Sequence, residues 1–215
     1  MNPLLLDSTI KQADLEGVHT MRVEQFVMAY GIEQDRVRAL LPDGFESLRP
    51  VLRINTEIRD EKTVYAELNA PVEHDGKRGW LNIANWNSST DDLAYTRKEE
   101  TVTISAPFLT LVYTGTGVEG GCPAERDNSG CFYCYESGWE FKPAETITAN
   151  KEFCDCEFAW RFHPDDAHGV SMGKTLPAFH EEIATEYEKK ELTAENAAAI
   201  PCRQVLGAYI VRFEQ

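Results

Sequence analysis

Residues 51–72 read Val51-Leu-Arg-Ile-Asn-Thr-Glu-Ile-Arg-Asp-Glu-Lys-Thr-Val-Tyr-Ala-Glu-Leu-Asn-Ala-Pro-Val72. In the first half, Leu52, Ile54 and Ile58 fall on one side of an extended chain and Arg53, Asn55 and Glu57 on the other. In the second half, Val64, Ala66, Leu68, Ala70 and Val72 share a side, and Tyr65, Glu67 and Asn69 share its opposite. A period of two is the side-chain repeat of a strand that buries one face. The charged Arg59-Asp-Glu-Lys62 between the halves suits a hairpin connection. The stretch predicts two antiparallel strands over 51–58 and 64–72, apolar on one face and polar on the other. Such a polar face ordinarily meets water.

On the N-terminal side, Arg22–Tyr30 reads as a strand. Ile32–Leu41 reads as a helix with Val37, Leu40 and Leu41 at helical spacing, ended by Pro42-Asp-Gly44. On the C-terminal side, Asp75-Gly76 marks a turn and Trp80–Trp86 a third strand. Thr101–Thr114, rich in Thr, Val, Ile and Phe, reads as one long strand. Gly115–Gly130 reads as a glycine-rich loop without a phosphate-binding pattern, able to act as a lid if it borders a pocket. Strands are expected over Cys131–Phe141 and Glu152–Phe162, helices over Pro177–Lys190 and Ala194–Ala199, and a closing strand over Val205–Phe213. Residues 1–20 read as a loosely attached arm and 21–215 as a single domain. The fold class is α+β, built on an antiparallel, β-barrel-like curved sheet with a few packed helices.

A net charge of −15 argues against nucleic acid and anionic membrane surfaces as partners. No apolar run approaches the roughly 18 residues of a membrane span. The start, Met1-Asn-Pro-Leu-Leu-Leu-Asp7, is short, lacks a basic residue and does not read as a signal peptide. Six cysteines without a secretion signal suggest reduced thiols and a cytoplasmic protein. Cys131-Phe-Tyr-Cys134 has the spacing of a zinc knuckle, with Cys122, Cys154, Cys156, His163 and His168 in the same third of the chain. Cys154 and Cys156 alternate with Phe158, Trp160 and Phe162, however, which reads as core, so no metal is expected. A cysteine nucleophile with His163 or His180 as base has no local signature.

Several short motifs recur in a telling order. Phe26-Val-Met-Ala-Tyr30 is followed by Leu40-Leu-Pro42, Pro50-Val-Leu-Arg-Ile54, Tyr65-Ala-Glu67, Asp75-Gly-Lys-Arg-Gly-Trp80 and, near the end, Val205-Leu-Gly-Ala-Tyr-Ile-Val211. Together they resemble the acetoacetate decarboxylase family. The resemblance implies a pocket holding an arginine of the first strand, nearest to Arg22, and two glutamates of the following hairpin. Glu67 matches the second glutamate. The first falls on Asn55 or, with a small shift, on Glu57. Tyr65 and Arg97 join Arg22 and Asn55 as expected substrate contacts. The family nucleophile is a lysine in a Tyr-Pro-Lys-Lys sequence, for which the local match is Ala94-Tyr-Thr-Arg-Lys98. Arg97 then stands at the nucleophile position and Lys98 beside it. Arginine stays protonated and forms no imine, which leaves Lys98 as the amine.

The resemblance implies a lyase: a decarboxylase acting on a small oxo-acid through a Lys98 Schiff base, with Arg22 on the carboxylate and Glu67 and Glu57 handling protons. No metal or organic cofactor is required, since the imine is the electron sink. The family also implies a homo-oligomer. Two alternatives remain: a non-catalytic carboxylate-binding protein on the same fold, favoured by Arg97, or an acid–base hydratase or hydrolase led by Glu67.

Overall fold

The computed structural model describes residues 20–119, 129–144, 149–163, 168–172 and 187–215. The expected arm over 1–20 lies almost wholly outside them, as do Cys122, His180 and most of the expected helix 177–190, whose last four residues carry no helix.

The chain opens with β1 (Arg22–Gly31), α1 (Gln34–Leu40), the short β2 (Glu46–Ser47), β3 (Val51–Arg59), β4 (Thr63–His74) and β5 (Lys77–Asn87). There follow β6 (Ala94–Lys98), β7 (Thr101–Ala106), β8 (Leu109–Glu119), β9 (Gly130–Tyr135), β10 (Gly138–Pro143), β11 (Ala149–Phe162) and β12 (His168–Met172). The last elements are α2 (Ala194–Ala198) and β13 (Gln204–Glu214). The strands make one sheet in the order β10-β9-β5-β4-β3-β1-β13-β11-β8-β7-β6, with β12 on β11 and β2 on β4. All pairings are antiparallel except the short parallel contact of β9 with β5.

The decisive hairpin forms with the expected faces, and its register sets Asn55 opposite Glu67 and Glu57 opposite Tyr65. Its tight turn puts Asp60 and Glu61 at φ of 49° and 55°. The Asp60 side chain steadies this costly backbone by accepting from the Arg22 amide at 2.9 Å. The apolar face of the hairpin joins Phe26, Met28 and Tyr30 in the main core. Against it fold Tyr113 and Phe158: Phe26 and Tyr113 lie 4.6 Å apart, as do Tyr113 and Phe158.

The expected strand-rich architecture with few helices is present, but its barrel-like character is not borne out, because the sheet is open. Among the described residues no strand pairing joins β6 to β10. The β6 end does curl over, but it meets the body through side chains. Tyr95 donates its hydroxyl to the Glu61 carbonyl at 3.0 Å, and Arg97 pairs with Glu24 of β1. Two expected single strands are hairpins instead. Pro107, which has no N–H for a ladder, sits in the turn that splits 101–114 into β7 and β8. Glu136 and Ser137 separate β9 from β10. β8 also runs on through Glu119, into the span expected as loop. The segment 94–98 is a strand. Among the described residues no helix is long and apolar enough to cross a membrane.

The β9–β10 hairpin leans over the polar face of β3–β5. It is seated by close backbone contact: a Cβ on Gly79 would lie 2.3 Å from the Gly130 carbonyl oxygen. Phe132 anchors the seat from the core side, 5.2 Å from Phe45 and 4.7 Å from Phe141. Gly79→Ala should therefore lower stability by about 1–3 kcal/mol, read as a lower urea midpoint, and speed amide exchange selectively in β9. Unchanged exchange there would show that the hairpin is held by other contacts.

Candidate functional site

The polar face of the hairpin is buried. Glu67 is only 3% exposed, Asn55 6% and Arg53 7%. A carboxylate in such a place is costly unless its lone pairs are filled. Asn55 Nδ2 donates to Glu67 Oε1 at 3.0 Å and Asn69 Nδ2 to the same oxygen at 2.8 Å. The Tyr65 hydroxyl donates to Oε2 at 2.8 Å and Asn82 Nδ2 at 3.2 Å. Arg53 Nη2 stands 3.6 Å from Oε1. Its guanidinium carbon lies over the buried indole of Trp80, 3.8 Å from the ring centre.

Strand geometry explains the convergence. Arg53, Asn55, Tyr65, Glu67 and Asn69 are all odd-numbered on two adjacent strands whose odd positions face the same way. Asn82 and Asn85 are three apart and would face opposite sides of a regular strand. A bulge at Ile83 absorbs the extra residue, so that Asn82 pairs with Asn69 and Asn85 with Glu67. Both amides then join the same face, where Asn85 Nδ2 donates to Asn82 Oδ1 at 2.8 Å.

Above this face is a cleft of about 490 Å³. Its lining includes Arg53, Asn55, Glu57, Arg59, Tyr65 and Glu67 on the sheet, with Cys131, Tyr133 and Lys142 on the β9–β10 hairpin. Lining side chains carry three cations, Arg53, Arg59 and Lys142, against the two carboxylates Glu57 and Glu67. Glu57 is engaged by Arg59 at 2.7 Å and by Gln25 at 3.3 Å. Burial, with the nearby Glu67 charge, pushes both Tyr65 and Tyr133 well above the usual phenol range. Burial likewise pushes the Cys131 thiol up to about 11, with the Glu67 charge adding to it and Arg53 opposing it. Lys142 is fully exposed, and its hydrogen bond with Tyr135 raises its pKa.

The residues singled out from sequence divide between two places. Glu67, Glu57, Asn55 and Tyr65 come together in this cleft. Arg22 and Arg97 line a different one, of about 300 Å³, beside Glu24, Glu61 and Arg212. There Glu24 is shared by Arg97 and by Arg212, the latter at 3.0 Å, and Arg22 faces Glu61 at 3.8 Å. Lys98 is exposed on β6, opposite Thr101, and is not among the residues lining either cleft. Sequence reasoning passed over Trp80, Asn82, Tyr133 and Lys142 as site residues. Asn82 depends on the bulge, and the hairpin residues depend on the parallel β5–β9 contact. Neither has a local signature. Of the described cysteines, Cys156 is buried, Cys131, Cys154 and Cys202 are half-buried, and Cys134 is exposed; all five are free. Cys156 lies in the core, as its alternation with Phe158 and Trp160 implies, whereas Cys154 is only packed against that core.

Several solved structures share this architecture. Acetoacetate decarboxylase from Legionella pneumophila superposes with a TM-score of 0.59, covering 91% of this chain and 83% of that one at 11% identity. The chain has an acetoacetate decarboxylase-like fold. The enduracididine biosynthesis enzyme MppR, complexed with pyruvate, superposes with a TM-score of 0.53 over 91% of this chain and 86% of that one at 10% identity. No protein-family model matches the sequence, and no curated protein matches it. At such identities the decarboxylase-like likeness is one of fold.

Two measurements probe the site. Glu67→Ala leaves Arg53 and three amides facing an empty position, and should cost about 3–5 kcal/mol in chemical denaturation. Iodoacetamide labelling of Cys131, followed by peptide mapping, should be slow at pH 8. It should climb about tenfold per pH unit until it levels near pH 11, because only the thiolate reacts. A plateau below pH 9 would contradict the described burial.

Proposed function

We propose that this chain binds a small carboxylate, of the oxo- or hydroxy-acid class, in the cleft over Glu67. The observation that carries this reading is Arg53. Its guanidinium is buried, stacked on Trp80, steadied by Glu67 and presented to the cleft. A guanidinium fixed in advance loses little freedom on meeting a carboxylate and offers it charge-assisted hydrogen bonds. The excess of cations in the lining acts in the same direction. The pyruvate carried by MppR on a like fold supports the ligand class.

Of the chemical readings, binding is better supported than imine catalysis. A Schiff-base lysine must meet the substrate carbonyl and lose its proton readily. Lys98 stands exposed on β6, away from the cleft lining. Arg97, its neighbour, is committed to Glu24. Lys142 does line the cleft, but it is exposed and its raised pKa works against a neutral amine. The four donors on Glu67 also make its carboxylate an anchor for the network, which holds Arg53 in place, more than a free base.

Titration of pyruvate and acetoacetate, followed by amide chemical shifts, should perturb β3, β4 and β9. Arg53→Met should weaken binding tenfold or more, since a charge-assisted contact contributes about 1.5–3 kcal/mol. Lys98→Ala should leave binding unchanged, and borohydride should trap no adduct. An adduct mapped to Lys98, or Arg53→Met binding as tightly as the unsubstituted protein, would sink the reading.

A further inference from the structure

The amides around Glu67 specify more about the ligand than its charge. A carboxylate accepts only, so each neighbouring asparagine must turn its NH₂ toward Glu67 and its carbonyl away. Asn82 and Asn69 pass those carbonyls on. Asn85 Nδ2 donates to Asn82 Oδ1 at 2.8 Å, and Asn82 Nδ2 also reaches Asn69 Oδ1 at 3.4 Å. The chain of amides thus runs Asn85 to Asn82 to Asn69 to Glu67. Asn55 ends differently. Its Nδ2 is committed to Glu67, and its Oδ1 is buried with no hydrogen-bond partner. This side chain, 6% exposed, lines the cleft beside Arg53. An acceptor shut away from water without a donor costs free energy until something supplies one.

A plain oxo-acid supplies none, since its carbonyl and carboxylate oxygens are all acceptors. Placed here, it sets acceptor against acceptor. We propose that the site selects a hydroxy-carboxylate: the carboxylate goes to Arg53, and a neighbouring hydroxyl donates to Asn55 Oδ1. A protonated amine would also donate, but held at Asn55 it would put a second positive charge beside the Arg53 guanidinium, its neighbour on the same face of β3. That repulsion singles out the neutral hydroxyl. Asn55 is then the residue that sets specificity, provided the cleft binds a carboxylate at all.

The test is a matched set of ligands differing at one position: lactate, pyruvate and alanine, with the 2-hydroxy, 2-oxo and 2-amino forms of a six-carbon acid. Each is titrated against the whole chain by chemical-shift mapping. The hydroxy member should bind about five- to tenfold more tightly than the oxo member, as one neutral hydrogen bond gained implies. Asn55→Met, of similar bulk but without the acceptor, should bring that ratio close to one. Equal or tighter binding of the oxo-acid, or tightest binding of the amino acid, overturns the inference and leaves carboxylate binding intact. So does a hydroxy preference that survives in Asn55→Met. Failure of all three to bind refutes the carboxylate reading itself, and this inference with it. If Asn55→Met does not fold, the ligand set on the unsubstituted protein decides alone.

Discussion

One buried carboxylate organises the centre of this molecule. Glu67 lies within the sheet body, where a bare charge would be intolerable, and it is tolerated because Asn55, Asn69, Asn82 and Tyr65 all donate to it. The requirement runs both ways. Each donor is held in one orientation by the carboxylate, and Arg53 is held against Trp80 partly by the same charge. Three strands are thereby tied together by side chains as well as by backbone. The register of β3 on β4 and the bulge in β5 are the backbone terms of the same arrangement. A one-residue slip in either pairing would turn the polar set into the core and the core into the cleft.

The layout explains why the two faces of one hairpin behave so differently. The even-numbered residues meet the folded-over strands β8 and β11 and make an ordinary apolar core. The odd-numbered residues meet a smaller cover, β9–β10, which closes over them without filling the space. Polar side chains that would be solvated on a typical antiparallel sheet are instead dry at the base and open at the top. That combination gives a charged group both a fixed direction and strong interactions.

Much of the fold was legible in the chain. The strict alternation in 51–58 and 64–72 specified the hairpin, its faces and the shared side of Asn55, Glu57, Tyr65 and Glu67. Local punctuation worked at Pro42-Asp-Gly44 and Asp75-Gly76. It was misread at Pro107, where a proline inside a β-rich run marked a turn. The cover was illegible because its position rests on a parallel contact between residues some fifty apart in sequence, Trp80 with Cys131 and Leu81 with Phe132. Asn82 was illegible because a bulge changes the face count without changing composition. The motif match joined Arg22 and Lys98 through sequence order, whereas in the structure neither lines the cleft over Glu67: Arg22 lines the second cleft and Lys98 is exposed on β6. Short motifs convey neighbourhood along the chain better than neighbourhood in space.

The narrow attachment of β9–β10 has a thermodynamic consequence. Among the described residues, two ladder pairs and one further hydrogen bond, from the Ser129 amide to the Arg78 carbonyl at 3.3 Å, join this hairpin to β5, yet it supplies one wall of the cleft. Any ligand that touches both walls favours the docked hairpin over the lifted one by its difference in affinity for the two states. For such a ligand occupancy and closure would be linked functions: it would rigidify its own container, and a destabilised seat would reduce apparent affinity without altering a single group that touches the ligand.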